Sequence, residues 1–481
     1  MRSILGLALS VLLTATAHAQ PASFPKPVEG DFIARDFAFT SGERMPEVKI
    51  HYRTVGAPRK DADGVVRNGV LILHGTGGTG NSFTGQGYAG RLFGRGQPLD
   101  AEKYFIILPD NVGHGQSSKP SDGLRMKFPK YRYTDMVKLQ YELVTKGLGL
   151  TNLKLVMGTS MGAMHSWDWG YMYPGFAAGL MPLASNPVEI GGRNRVWRKF
   201  LIDAIEKDPT WKNGDYTEQP RGLASAIGFL MMATSVPLQW QKQFPTIAAA
   251  DKYVEDQVAS RSKNTDANDM LYYYHAIEDY NPEPHLSKIT APLLAINSAD
   301  DFVNPPELPM MRELIKQVKR GRFVLLPITD ETRGHGTHSL PAIWGPELVR
   351  FLEEIQSSPS PTTTLRVSAP GLPAGLRPDF GAGAFRPGTG ITSPRVIRRV
   401  TPEYTRAALQ EQVQGPVWLE CVVLEDGKVG DVQVVRSLDT VFGLDQEAIK
   451  AAKQWEFSPG MRLGKPVPVI VTLELTFTFK K

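Results

Sequence analysis

A single cysteine among 481 residues, Cys421, leaves no partner for an internal disulfide, and its place late in the chain excludes a lipid-modified N-terminal cysteine. Beyond the leader, no stretch approaches the ~20 consecutive apolar residues that a membrane-spanning helix needs, so no transmembrane anchor is expected. There is no basic run either. The 54 Lys and Arg are interspersed with 49 Asp and Glu, and a net charge of +5 distributed in this way argues against nucleic acid as a partner. What the N-terminus does have is an export signature: Arg2, then the apolar segment Ile4 to Thr14, then Ala17-His18-Ala19, the small-x-small pattern cut by signal peptidase. Residues 1–19 are therefore read as a signal peptide. The mature chain is expected to be a soluble periplasmic protein.

Composition divides what remains. From residue 356 to 391 the chain is rich in Ser, Pro, Thr, Gly and Ala and cannot bury a core, so it reads as a linker between parts 24–355 and 392–481. In the first part, apolar runs at Val70 to His74, Phe105 to Leu108, Leu153 to Met157, Ala178 to Leu183, Leu293 to Asn297 and Phe323 to Pro327 alternate with helix-like segments such as Tyr133 to Leu148 and Ala342 to Ile355. That order predicts an α/β fold with a mostly parallel sheet. A long, helix-rich stretch, 189–286, interrupts the alternation where a lid would fit.

Catalytic groups in such sheets sit just past the carboxyl ends of the strands. After Leu153 to Met157 comes Gly158-Thr159-Ser160-Met161-Gly162, the strand-turn-helix setting of a nucleophile elbow. After Leu293 to Asn297 comes Asp300-Asp301, and after Phe323 to Pro327 comes Gly334-His335-Gly336-Thr337-His338. A serine hydroxyl becomes nucleophilic only when a base takes its proton, and an imidazole needs a carboxylate to fix its tautomer. Ser160, His335 and Asp301 are assigned those parts, with Asp300 as the fallback carboxylate. The turn His74 to Gly80 supplies an oxyanion hole through the backbone N–H of Thr76, facing that of Met161. Competing readings are weaker. Two histidines on one loop, His335 and His338, with Asp330 or Glu331 beside them make a thin metal site. Gly75, Gly77 and Gly80 spell a dinucleotide fingerprint but do not lead into an apolar helix, and no Lys follows Gly80 as a phosphate loop requires. No cofactor and no metal are expected.

These residues resemble a known superfamily. The order Ser, Asp, His is that of the α/β-hydrolases. Lys103 to Ile107, Phe128-Pro129, Tyr133 to Val137, Gly158 to Met164 and Asp208 to Tyr216 resemble its homoserine O-acetyltransferase branch. The resemblance implies that Ser160 accepts an acyl group, that Asp301 and His335 complete a triad, and that the insertion holding Trp211 is a helical lid. Where that branch shows Gly-Ser-Thr-Gly-Pro, this chain has Gly113 to Pro120, which looks like general esterases of the superfamily. The expected activity is hydrolysis of a small acyl substrate, an ester or other acyl compound. Acyl transfer is the runner-up, and a non-catalytic envelope-binding scaffold comes third. The second part resembles the TonB C-terminal domain in Pro402-Glu403-Tyr404, Gly415-Pro416-Val417, Asp426-Gly427 and Trp455 to Pro459. Val417 to Leu424 and Val429 to Val435 around Asp426-Gly427 predict a hairpin, followed by a helix over Asp445 to Gln454 and a strand over Val467 to Phe479, a small α+β module. The resemblance points to a binding role, docking to an envelope protein, with a passive stabilising domain as the alternative.

Overall fold

The computed structural model describes residues 23–308, 310–357, 380–381, 384–385, 391–410, 413–439, 442–462 and 464–478. The expected signal peptide lies outside the described residues, as does most of the expected linker. The chain separates into two compact units, Met1–Thr362 and Thr363–Lys481.

The first unit is built on strands β1 (Val28–Ala38), β2 (Arg44–Val55), β3 (Gly69–Leu73), β4 (Phe105–Pro109), β5 (Leu155–Thr159), β6 (Leu180–Leu183), β7 (Leu293–Ser298) and β8 (Gly321–Leu326). They form one sheet in the order β1-β2-β4-β3-β5-β6-β7-β8. From β4 to β8 all neighbours are parallel, and β1 and β2 join antiparallel at one edge. Every residue of β3 to β7 is buried, because helices cover both faces, and this is why these strands read as continuous apolar runs. Alternate side chains serve opposite layers. Val70 and Ile72 pack with Trp344, Leu348 and Phe351 of the helix Pro341–Ser357, whereas Leu71 and Leu73 pack with Val137 and Trp167 on the other face.

Two local expectations shift. Leu153 does not open β5 but bridges Ala177, and the strand runs on to Thr159 in register with Leu183. The helix from Tyr133 is regular only to Glu142, after which Leu143–Gly147 forms a wider π turn.

Between β6 and β7 the chain is helical over Gly192–Glu206, Gly222–Ala233, Pro237–Gln243, Ile247–Lys263 and Ala267–His275. These helices close on a core of their own, which includes Leu201, Ile205, Trp211, Leu223, Leu271 and Tyr274. Trp211 is anchored there by a 2.8 Å hydrogen bond from Nε1 to Asn268 Oδ1. Among the described residues no single helix is long and apolar enough to cross a membrane.

In the second unit the hairpin forms as expected. Gly415–Val423 pairs antiparallel with Val429–Arg436, and Gly427 takes φ +81° in the turn between them. Val469–Phe477 adds a third antiparallel strand, and the helix Leu444–Ala452 packs Leu444, Ala448 and Ala452 onto Leu419, Cys421 and Leu473. The predicted strand over Val467 to Phe479 is broken: Lys465–Val467 pairs separately with Gly460–Arg462.

Candidate active site

Because β3 to β8 run parallel, the residues that follow β3, β5, β7 and β8 emerge at one edge of the sheet. Ser160 follows β5 immediately, with φ +54° and ψ −113°, a conformation that costs a non-glycine residue about 1–3 kcal/mol. The surrounding structure enforces it. The Ser160 N–H donates to Leu183 O at 2.9 Å, and the carbonyl of Ser160 accepts from Met164 N at 3.0 Å as the helix Met161–Met172 begins.

His335 and Asp301 converge on this serine. Nε2 of His335 lies 2.8 Å from Ser160 Oγ, and its Nδ1 lies 2.9 Å from Asp301 Oδ2. Asp301 is fully buried. Burial works to raise its pKa, but the adjacent His335 and the hydrogen bonds from Asn304 outweigh it and hold the carboxyl below its usual value. Asn304 donates from its N at 3.2 Å and its Nδ2 at 3.0 Å, and Val303 N adds a third bond at 2.8 Å. Asp300, the fallback, faces elsewhere. Its Oδ2 accepts from Thr332 Oγ1 at 2.8 Å and from Gly334 N at 3.0 Å, so it holds the backbone just ahead of His335. Replacing Asp301 by asparagine should therefore lower turnover of a model ester about 10³- to 10⁴-fold. Asp300→Asn should cost about 10-fold or less, measured on the same ester.

The turn after β3 packs against the serine: a Cβ on Gly75 would lie 3.3 Å from Ser160 Cβ, and Thr76 lines the same cavity. Met161 is the first residue of its helix, where backbone N–H groups have no intrahelical acceptor. Its side chain goes into the core. His338 also lines the cavity, but burial lowers its pKa to about 3 and its Nδ1 bonds Ser339 Oγ. Asp330 pairs instead with Lys242. Among the described residues no group of three His, Cys, Asp or Glu is placed to hold a metal ion.

Composition and spacing gave no hint of the polar network behind the turn. His74 Nε2 accepts from Asn111 N at 3.0 Å, so its Nδ1 carries the proton that bonds Gly75 O at 2.8 Å. Burial favours this neutral ring. Asn111 Oδ1 accepts from Gln140 Nε2 at 2.6 Å, and Gln140 Oε1 accepts from Trp169 Nε1 at 2.8 Å. The turn that bears Thr76 is thereby tied to three helices and loops remote in sequence.

The cavity above Ser160 has a volume of about 390 Å³ and is walled by Phe83, Tyr88, Trp197, Leu230 and Tyr274. Residues 68–325, more than half of the chain, match the family model described as alpha/beta hydrolase fold. The chain belongs to the alpha/beta hydrolase fold family. Among relatives of this hydrolase-fold chain, a probable acyltransferase of Methanothermobacter thermautotrophicus is 28% identical over 306 residues, 63% of this chain and 91% of that protein. A homoserine O-acetyltransferase of Trichormus variabilis is 30% identical over 301 residues, 56% of this chain and 79% of that one. The solved structure of esterase E22 superposes with a TM-score of 0.61 at 20% identity, covering 68% of this chain and 100% of the esterase. Residues 400–479 match the model of the Gram-negative bacterial TonB protein C-terminal. The alpha/beta hydrolase fold and the TonB-like second unit thus agree with the resemblances carried by the motifs.

Proposed function

We propose that this chain is an exported serine hydrolase that cleaves an ester or other acyl bond through an acyl-enzyme on Ser160. The observation that carries the reading is the continuous relay from Ser160 Oγ through His335 to Asp301, at 2.8 and 2.9 Å. In the first step His335 Nε2 takes the hydroxyl proton as Ser160 Oγ bonds the acyl carbon. The carbonyl oxygen becomes an oxyanion, received by the N–H groups of Thr76 and Met161. Collapse expels the alcohol, which leaves with the proton from His335. Water then enters, gives its proton to the same nitrogen, and releases the acid while Ser160 regains its hydrogen. Asp301 keeps its charge throughout and stabilises the imidazolium. The helical insertion over the site serves as the lid. A fluorophosphonate should label the wild type and spare Ser160→Ala; equal labelling of both would end the assignment.

A second reading has a specific observation behind it, since the sequence relatives are named acyltransferases. There the same acyl-enzyme passes its acyl group to an alcohol or amine. Partition of a model ester between hydrolysis and transfer distinguishes the two, and acetyl transfer from acetyl-CoA to homoserine would replace the first reading.

The second unit, as a TonB-like module, is proposed to dock to an envelope protein by adding a strand to its sheet. The hydrolase relay lies wholly within the first unit. Ending the chain after residue 357 should preserve model-ester turnover within about two-fold while abolishing attachment to the partner. A truncated protein that folds normally yet loses most of its turnover would show that the tail contributes to the site.

A further inference from the structure

The cavity holds a cation that the relay does not use. Arg198, on the helix Gly192–Glu206, is only 3% exposed, yet it has no carboxylate partner among the described residues. Its Nε donates to Asn194 Oδ1 at 2.8 Å, and its guanidinium carbon lies 4.6 Å from the Trp197 ring centroid and 5.2 Å from that of Tyr274. Its Nη1 is buried without a hydrogen-bond acceptor among the described residues. A buried guanidinium that stacks on two rings but has a free N–H edge is costly unless an anion completes it. Arg261, exposed on the helix Ile247–Lys263, lines the same cavity, and none of the lining residues is an aspartate or glutamate. The lining thus carries two arginines and no carboxylate of its own.

We propose that the cavity takes an acyl substrate carrying a carboxylate, which the Arg198 guanidinium receives while Arg261 draws the anion in. This deepens the reading of Ser160 as a nucleophile, on which it rests, by naming the class of substrate. Arg198 is a binding residue in this scheme and takes no part in the proton transfers.

The test separates the two ideas. Ser160→Ala protein, which cannot turn over, is titrated calorimetrically with glutarate and with neutral glutaramide. Glutarate should bind saturably and at least about 10-fold more tightly than glutaramide, the range of a charge-assisted hydrogen bond. Adding Arg198→Gln should erase that difference, and Arg198→Lys should restore part of it. Equal binding of the two compounds, or glutarate binding untouched by Arg198→Gln, would overturn the proposal. A turnover arm needs no variant at Arg198 and so is immune to misfolding. Wild type is compared on 4-acetoxybenzoate against its methyl ester, and on mono-4-nitrophenyl glutarate against 4-nitrophenyl pentanoate. A preference of about 10-fold in kcat/KM in the first pair places the carboxylate on the leaving group, and in the second pair on the acyl group. No preference in either pair overturns the proposal. Fluorophosphonate labelling of the wild type reports on Ser160 alone, so a failure there sinks the hydrolase reading and leaves the glutarate titration to be judged by itself.

Discussion

Ser160→Ala should lower turnover of a model ester by roughly 10⁴-fold or more, and His335→Gln by a comparable factor, because nucleophile and base act as a unit. The double variant should be no worse than either single one. That non-additivity separates a relay from two residues that merely line a pocket, whose losses would multiply. Stability gives an independent check. Ser160 sits at φ +54°, which penalises alanine as it does serine, so Ser160→Ala should melt close to the wild type. Ser160→Gly removes that strain and should melt at or above the wild type while being equally inactive. A glycine variant that melts well below the wild type would show that the turn is not strained for the sake of the hydroxyl. Residual turnover above about one per cent in Ser160→Ala would place the nucleophile elsewhere.

Ser160 and Asp301 were legible because each follows a run buried on both faces, whereas His335 follows the edge strand β8, which is mostly half-buried, and was read from its glycine-flanked loop. In β5 and β7 every residue is buried, so the apolar runs are unbroken and the polar residue that ends each one stands out. The first two strands gave no such signal. In β2 the buried positions include His51, whose Nδ1 lies 2.7 Å from Asp31 Oδ1, and Arg53, whose charge is met by Glu29 and Asp110, so pairing across 57 residues was needed to make Arg53 an interior residue. Arg198 was hidden for the same reason. One of three arginines on a polar helix reads as solvent-exposed, and the packing of Tyr274 from a helix some seventy residues later helps enclose it. His74 was visible as part of a glycine-rich turn, but its neutral tautomer depends on Asn111 from the loop after β4, which spacing alone could not align.

The glycines of the elbow should prove as intolerant as the serine, but for a reason of space. A Cβ on Gly162 would lie 2.1 Å from Leu73 O, and one on Gly158 would lie 2.2 Å from Gly162 O. Both obstacles are backbone, in β3 and in the first turn of the helix Met161–Met172, so no side-chain rotation relieves them. Gly162→Ala must push the helix away from β3, loosening Met164 and Trp167 from the layers they fill. Overpacking of a core commonly costs about 1–3 kcal/mol, and a clash with the backbone of the central sheet belongs at or beyond the upper end. Against a total stability of about 5–15 kcal/mol, that loss should drop the melting temperature of the first unit by several degrees or leave the variant insoluble. Gly228 is the control. It lies inside the helix Gly222–Ala233 with nothing within 4 Å of its would-be Cβ, so Gly228→Ala should stabilise the protein by about 0.5–1 kcal/mol. Thermal melts of the two variants therefore move in opposite directions. A Gly162→Ala protein that melts with the wild type would mean that strand and helix do not approach as closely as this elbow requires.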